Sequence, residues 1–128
     1  MKLAAPERTF VALTGDGSYM FSAPSTVHWM ARRYRTPFLQ VIYNNRGWRA
    51  PKFSALAVHP SGYASRAEDL DISFDPPPDY SGIAAAAGGA FARVIKRPED
   101  VEAGIAEGLR VVREEQRCAV LDVWLAHL

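Results

Sequence analysis

The stretch Thr9-Phe10-Val11-Ala12-Leu13-Thr14-Gly15-Asp16-Gly17-Ser18 decides the fold. Its first six residues form a short apolar, β-branched run that stops at a Gly-Asp-Gly turn. A run without polar alternation is a strand buried on both faces, as in a parallel sheet. Working outward, Pro24 to Tyr34 predicts a helix with Pro24 in its first turn and Ser22 as its cap. Val27, Met30, Ala31 and Tyr34 share its inner face, while His28, Arg32, Arg33 and Arg35 point elsewhere. Pro37 stops that helix, and Phe38 to Tyr43 reads as a second buried strand ending at Asn44-Asn45. Arg46 to Pro78 carries Gly47, Pro51, Pro60, Gly62 and the run Pro76-Pro77-Pro78, and reads as a long loop with at most one short helix. Asp79 then caps a small Ala-rich helix that ends at Gly88-Gly89, and Phe91 to Lys96 is a third strand. Pro98 opens a helix to about Gln116, with Val101, Ile105, Leu109 and Val112 at helical spacing, and Cys118 to Leu125 is a fourth strand. Strands alternating with helices imply an α/β fold built on a doubly wound, mostly parallel sheet.

The bulk composition narrows the function classes. A chain of 128 residues is one domain's worth, and 48% hydrophobic against 23% charged residues is a globular balance. The formal charge of +1, from 15 basic and 14 acidic residues, offers nothing to nucleic acid or to an anionic membrane. The single cysteine, Cys118, sits in the apolar run Cys118-Ala119-Val120-Leu121 and reads as an inert core thiol. With no intrachain disulfide to form, a reducing, cytoplasmic setting is expected. The start, Met1 to Pro6, is too short in apolar length for a signal peptide, and no run of about 18 apolar residues exists to span a bilayer.

In an open parallel sheet, ligands bind beyond the carboxyl ends of the strands. Two proposed strands end in polar, turn-forming clusters, Gly15-Asp16-Gly17-Ser18 and Asn44-Asn45-Arg46-Gly47. If those strands are neighbours, both clusters share one rim. Gly15 and Gly17 let backbone approach an anion closely. The N–H groups of Gly17 and Ser18, the Ser18 hydroxyl and the following helix N-terminus suit a phosphate. Asp16 supplies a hard anionic oxygen and Asn45 an amide oxygen, both suited to Mg²⁺, which also takes phosphate oxygens and water. Either motif by itself is an ordinary turn; the pair at two strand ends points to a diphosphate with its magnesium.

Gly15-Asp16-Gly17, then 26 residues, then Asn44-Asn45, resembles the signature of the thiamine diphosphate-dependent enzymes. The order of small helix, strand, long helix and strand downstream is similar to the rest of that family's diphosphate-binding domain. The textures Gly-Asp-Gly-Ser and Asn-Asn-Arg-Gly-Trp are most similar to the acetolactate synthase and 2-oxo-acid decarboxylase branch. The resemblance implies that the side chains of Asp16 and Asn45 and the carbonyl of Gly47 hold Mg²⁺. It places Gly15, Gly17 and Ser18 with them around the diphosphate. It also implies what this stretch lacks. In the family, a glutamate on a separate pyrimidine-binding domain drives loss of the thiazolium C2 proton, and the diphosphate domain begins well before its Gly-Asp-Gly. Only 14 residues precede Gly15 here. The expectation is therefore a domain spanning residues 1–128, incomplete at its N-terminus and inactive alone. Such a chain would be a fragment, a truncated frame or one piece of a split enzyme. Its expected partners are thiamine diphosphate and either further copies of itself or a complementing chain carrying the pyrimidine-binding domain.

Other residues carry plainer expectations. His28, Arg32 and Arg35 fall on the outward face of the first helix, a surface or subunit-contact role. His59 and Tyr63 lie in the long loop, where family members place substrate-facing or lid residues. Trp48 is expected to pack over the cofactor's edge, and Arg49 and Lys52 are solvated charges or attract an acidic substrate. Gly104 and Gly108 seat the last helix against the sheet or a partner, the Ala84 to Ala87 segment is a second close-packing candidate, and His127 belongs to a loose terminus. Two further function classes stay open on the residues alone: a Mg²⁺-dependent phosphate-binding or phosphoryl-transfer domain, and a non-catalytic assembly fragment.

Overall fold

The computed structural model describes residues 1–67, 70 and 72–126. Four strands, β1 (Val11–Gly15), β2 (Leu39–Asn44), β3 (Phe91–Ile95) and β4 (Ala119–Trp124), form one sheet in the order β1-β2-β4-β3, with every pairing parallel. Helices α1 (Asp16–Phe21) and α2 (Pro24–Arg33) join β1 to β2. Helices α3 (Arg49–Val58), α4 (Tyr63–Arg66) and α5 (Tyr80–Gly88) lie between β2 and β3, and α6 (Val101–Glu114) leads into β4. The chain steps one way across the sheet from β1 through β2 to β3, then steps back to β4. Right-handed crossovers put helices on opposite faces when the direction reverses. The doubly wound α/β fold expected from the alternation is the one observed.

Side-chain alternation along the strands sorts the core into two layers. Ile42 and Val120 pack with Tyr19, Ala31, Tyr80 and Ala84 on the face covered by α1, α2 and α5. Leu39, Val41, Leu121 and Val123 pack with Val111, Val112 and the inner side of α6 on the other. Helix α6 seats tightly because it is notched: a Cβ on Gly104 would lie 2.4 Å from Ile95 Cδ1, and one on Gly108 2.8 Å from Leu39 Cδ1. Both glycines, like buried Ala84, are therefore used inside the domain and not as a surface for partners. Apolar surface is exposed elsewhere. Val11 and Leu13 are 51% and 63% exposed on β1, beyond the reach of α6.

Element ends follow local chemistry, with three departures from the sequence reading. The side chain of Asp79 accepts from Gly82 N at 2.8 Å and starts α5, which ends on Gly89 at φ +67°, a conformation glycine adopts without a Cβ penalty. Ser22, expected to cap α2, instead closes α1: its hydroxyl donates to the Tyr19 carbonyl at 2.8 Å, and Ala23 in left-handed conformation precedes Pro24. The expected loop from Arg46 to Pro78 contains α3 and α4, neither with a buried residue, which is why no apolar period betrays them. His127 lies outside the described residues.

The third departure concerns α2. The helix is rolled relative to the face read from its sequence, so Val27, Met30 and Tyr34 are exposed while His28 is buried at 1% exposure. His28 stacks on Phe38 (ring centroids 5.5 Å apart, 18° between planes) and leans on Tyr19. Among the described residues neither ring nitrogen has a hydrogen-bond partner. The period was right and the phase was wrong, because an imidazole can be buried as a flat aromatic plate. Burial pulls the His28 pKa below its ordinary 6.5, opposed only by nearby Gln40. The unfolded chain thus takes up a proton that the folded one refuses. Stability is full above pH 6.5 and falls as pH drops below it. Urea unfolding midpoints should decline between pH 7.5 and 5.5 in the wild type and decline less in His28→Phe, which keeps the stack. Asp122, whose buried carboxyl titrates in both proteins, cancels in that comparison. Equal declines would clear His28 of the effect.

Candidate functional site

Strands β1 and β2 are neighbours, with Gly15 opposite Tyr43, so both turn clusters leave the sheet at one carboxyl rim. Asp16 links them. Its carboxylate is 2% exposed; Oδ1 accepts from Gly17 N at 2.9 Å and Oδ2 from Gly47 N at 3.2 Å. Asn45 Oδ1 accepts from the same Gly47 N, also at 3.2 Å. A carboxylate oxygen and an amide oxygen are thereby drawn to one point. These are donors that suit a hard divalent cation, and their single negative charge leaves such an ion able to take further anionic oxygens from a ligand.

The loop carrying Asn45 and Gly47 is strapped from the far side. Trp48 N donates to Ile72 O and Phe74 N to Arg46 O, each at 2.8 Å, around an antiparallel bridge between Gly47 and Ser73. Arg46 takes φ +61°, and its guanidinium lies 5.1 Å from the centre of the Trp124 ring. A Cβ on Gly47 would meet the Ile72 carbonyl oxygen at 2.7 Å, so only glycine fits beneath the strap. Trp48 stacks on Phe21 (5.4 Å) and meets Phe74 edge-on (4.7 Å), and its indole covers Gly17, where a Cβ would lie 2.3 Å from Cδ1. The two glycines of the first motif thus differ. Gly17 makes room for Trp48, whereas among the described residues nothing lies within 4 Å of a Cβ built on Gly15, leaving space for a ligand's close approach.

Gly15, Asp16, Gly17, Ser18, Asn45 and Gly47, all singled out in the sequence, line one open cavity of about 360 Å³ with Trp48 and the first turns of α3. Arg49 is on its wall, its guanidinium 5.0 Å from the Phe53 ring centre. His59 ends α3 in an exposed position and is not part of the wall, and Tyr63 is 84% exposed. The cradle therefore fits a diphosphate-bearing ligand with its cation: a glycine open to space, one buried acid, an amide oxygen beside it, and a cationic side chain at the mouth.

Beneath this rim lies a polar layer that sequence reading passed over. Asn44 is fully buried; its Nδ2 donates to Asp122 Oδ1 at 2.9 Å, and its Oδ1 accepts from Arg46 N at 3.2 Å. Asp122, 3% exposed, has its carboxyl pushed up by burial, opposed by the Asn44 bond. The Tyr19 hydroxyl donates to Tyr80 O at 3.1 Å, and both phenols are raised by burial. The available signal was one acid inside the otherwise apolar Ala119-Val120-Leu121-Asp122-Val123-Trp124.

A parallel α/β sheet with an acid-and-amide rim open to a phosphate-sized ligand defines a cofactor-binding domain. Residues 1–123 match the family described as "Thiamine pyrophosphate enzyme, C-terminal TPP binding domain", and the chain belongs to that family. Among curated proteins, a sulfoacetaldehyde acetyltransferase from Castellaniella defragrans is 26% identical over 122 residues, covering 95% of this chain and 19% of that protein. Among solved structures, the thiamine diphosphate-dependent 4-hydroxybenzoylformate decarboxylase of Rhodococcus jostii RHA1 superposes with a TM-score of 0.73 at 20% identity, over 99% of this chain and 21% of that one. Benzoylformate decarboxylase from Polynucleobacter necessarius gives 0.66 at 20% identity, over 98% and 21%. The chain spans about a fifth of the length of each of these proteins.

The strap makes a direct prediction. Gly47→Ala would place its methyl 2.7 Å from the Ile72 carbonyl oxygen and must push that backbone aside, at a cost of about 1–3 kcal/mol. The variant should keep its far-ultraviolet circular dichroism while Trp48 moves to a wetter environment. A red-shifted tryptophan emission would register this; an unshifted spectrum would show that the strap tolerates the methyl.

Proposed function

We propose that this chain is the diphosphate-and-magnesium half of an active site for 2-oxo-acid decarboxylation or acyl transfer, in the acetolactate synthase-like branch of its family. The observation that carries this reading is the convergence of Asp16 Oδ2 and Asn45 Oδ1 on Gly47 at the rim of a glycine-opened cavity. The relatives' names support the reaction class, since each is an acyltransferase or a decarboxylase. In this reading Asp16, Asn45 and the Gly47 carbonyl hold Mg²⁺, and Gly15, Gly17 and Ser18 adjoin the diphosphate. Trp48, stacked on Phe21, covers Gly17 beside these residues. Thiamine diphosphate, when bound, supplies a nucleophilic carbon and an electron sink for breaking the bond beside a 2-oxo acid's carbonyl. The chain's residues anchor and orient it; the group that moves the proton belongs to the pyrimidine-binding domain, which this reading assigns to another part of the assembly. Catalysis by such a cofactor depends on positioning, so an anchor without that domain is expected to be inactive on pyruvate or benzoylformate.

Calorimetric titration with thiamine diphosphate in the presence and absence of Mg²⁺ tests the anchor. Asp16→Ala should abolish Mg²⁺-dependent binding and Asn45→Ala should weaken it, since an octahedral shell tolerates little loss. Unchanged affinity in the Asp16 variant would remove the metal assignment. Mg²⁺ bound equally well without the cofactor would point instead to a plain phosphate-binding domain.

The same reading requires a partner. The uncovered β1 surface at Val11 and Leu13 is apolar and unsuited to a free monomer. We expect at least a dimer, or a complex with a complementing chain, and two-fold closure is the commonest arrangement. Light scattering after size exclusion should give a mass above 14.1 kDa that grows with concentration. A single species at the monomer mass throughout would defeat this.

A further inference from the structure

We infer that Asp122 is a positioning residue for the cofactor-anchoring loop, acting through Asn44 on the backbone of Arg46 and Gly47. The inference rests on the function proposed above for Asp16, Asn45 and Gly47, and it adds two residues that touch neither cofactor nor metal in that reading.

The argument begins with the cost of Asp122. It sits in the strand Ala119–Trp124, where all the other residues are apolar and five of the six are buried. A carboxyl in such a place is unfavourable unless its hydrogen bonds are met. One is: Asn44 Nδ2 donates to Asp122 Oδ1 at 2.9 Å. Asn44 pairs with Trp124 in the sheet register, so Asp122, two residues earlier, is its diagonal neighbour on the same face.

An amide side chain has a donor end and an acceptor end, and the partner at one end decides what the other offers. With the acid claiming the NH₂ group, the Asn44 oxygen faces the loop and accepts from Arg46 N at 3.2 Å. The Asn44 backbone is held as well, its carbonyl accepting from Leu125 N at 2.8 Å. Asn44 therefore delivers a fixed acceptor to Arg46, the second residue beyond the sheet.

That residue needs holding. Arg46 at φ +61° occupies the left-handed region, which costs a non-glycine residue about 1 kcal/mol or more. Its conformation turns the chain so that Gly47 N points at both Asp16 Oδ2 and Asn45 Oδ1. Three contacts keep Arg46 there: the Asn44 bond to its N–H, the Phe74 bond to its carbonyl, and Trp124 under its guanidinium. Two of the three start from β4, at Asp122 and Trp124. The strand next to β2 thus sets the geometry of a loop it does not contact through its own backbone amides.

Amide hydrogen exchange of the whole 128-residue chain, read by NMR, tests this without cofactor. In the wild type the Arg46 and Gly47 amides should be protected relative to Arg49 and Ala50; an Arg46 amide exchanging at the free rate would overturn the inference at once. Asp122→Leu removes the acceptor and should raise exchange at Arg46 and Gly47 about tenfold, with β1 and α6 amides unchanged. Asp122→Asn keeps an oxygen toward Asn44 and should stay within about twofold of wild type. Wild-type protection at Arg46 and Gly47 in a folded Asp122→Leu would refute the coupling. If that variant does not fold, the wild-type pattern together with Asp122→Asn decides. Calorimetry with Mg²⁺ and thiamine diphosphate adds a second arm, where Asp122→Leu should bind roughly tenfold more weakly, as losing an outer support of a metal site does. A wild-type chain that protects these amides but binds no thiamine diphosphate counts against the proposed function and not against the link from Asp122 to Gly47.

Discussion

The buried carboxylate of Asp16 is the interaction on which the site depends. It stands at the end of β1 and accepts from Gly17 on its own turn and from Gly47 on the turn after β2. An acid left unpaired at 2% exposure would be costly, so the two backbone N–H groups are needed by Asp16 as much as Asp16 is needed by the loops. The arrangement carries one negative charge with an amide oxygen beside it and no cationic side chain within its hydrogen bonds. That charge and oxygen set is what the proposed magnesium role draws on. The same logic explains the glycines around it: one leaves open space, one admits an indole, and one passes beneath a carbonyl.

Much of this was legible in the sequence, and the reasons are physical. Parallel strands read as largely apolar runs, and all four were placed within a residue or two of their ends, but β1, read as buried on both faces, is an edge strand with Val11 and Leu13 exposed. Gly15-Asp16-Gly17 and Asn44-Asn45 announced themselves because strand ends in a parallel sheet are where polar residues gather for a ligand. Asp79 and Gly89 marked α5 through ordinary capping chemistry. What escaped was whatever periodicity does not encode. Helix α3 buries no residue, so its ten positions leave no stripe to find. The phase of α2 was misjudged because His28 was counted as polar, although it packs as an aromatic ring against Phe38. Ser22 looked like a cap for the helix after it and serves the helix before it.

The polar layer under the rim was missed for a different reason. Asn44 reads as one half of a motif whose other half attracts attention, and Asp122 reads as a blemish in a strand. Each makes sense only through the other, 78 residues apart in sequence and adjacent across β2 and β4. Long-range polar pairs of this kind leave no local signature. Their trace is a violation of pattern: an acid where a valine would be expected. Such violations tend to gather where a fold gives up some stability for geometry.

The uneven covering of the sheet has a thermodynamic consequence. The central β2 and β4 strands are packed from both sides, whereas the edge strands β1 and β3 are each backed on one side, β1 by α1 and β3 by α6, and α3 rests on the surface. Local opening free energies should therefore be graded across the molecule, high at the β4 centre and low at the β1 edge. The anchoring cavity lies on the low side of that gradient. A ligand drawn there stiffens the part of the chain with the most conformational entropy left to lose, and its gross binding energy is partly consumed in ordering β1, α1 and the start of α3. Whatever covers Val11 and Leu13 would bear some of that cost beforehand, so assembly and cofactor binding are expected to reinforce each other even where their surfaces do not touch.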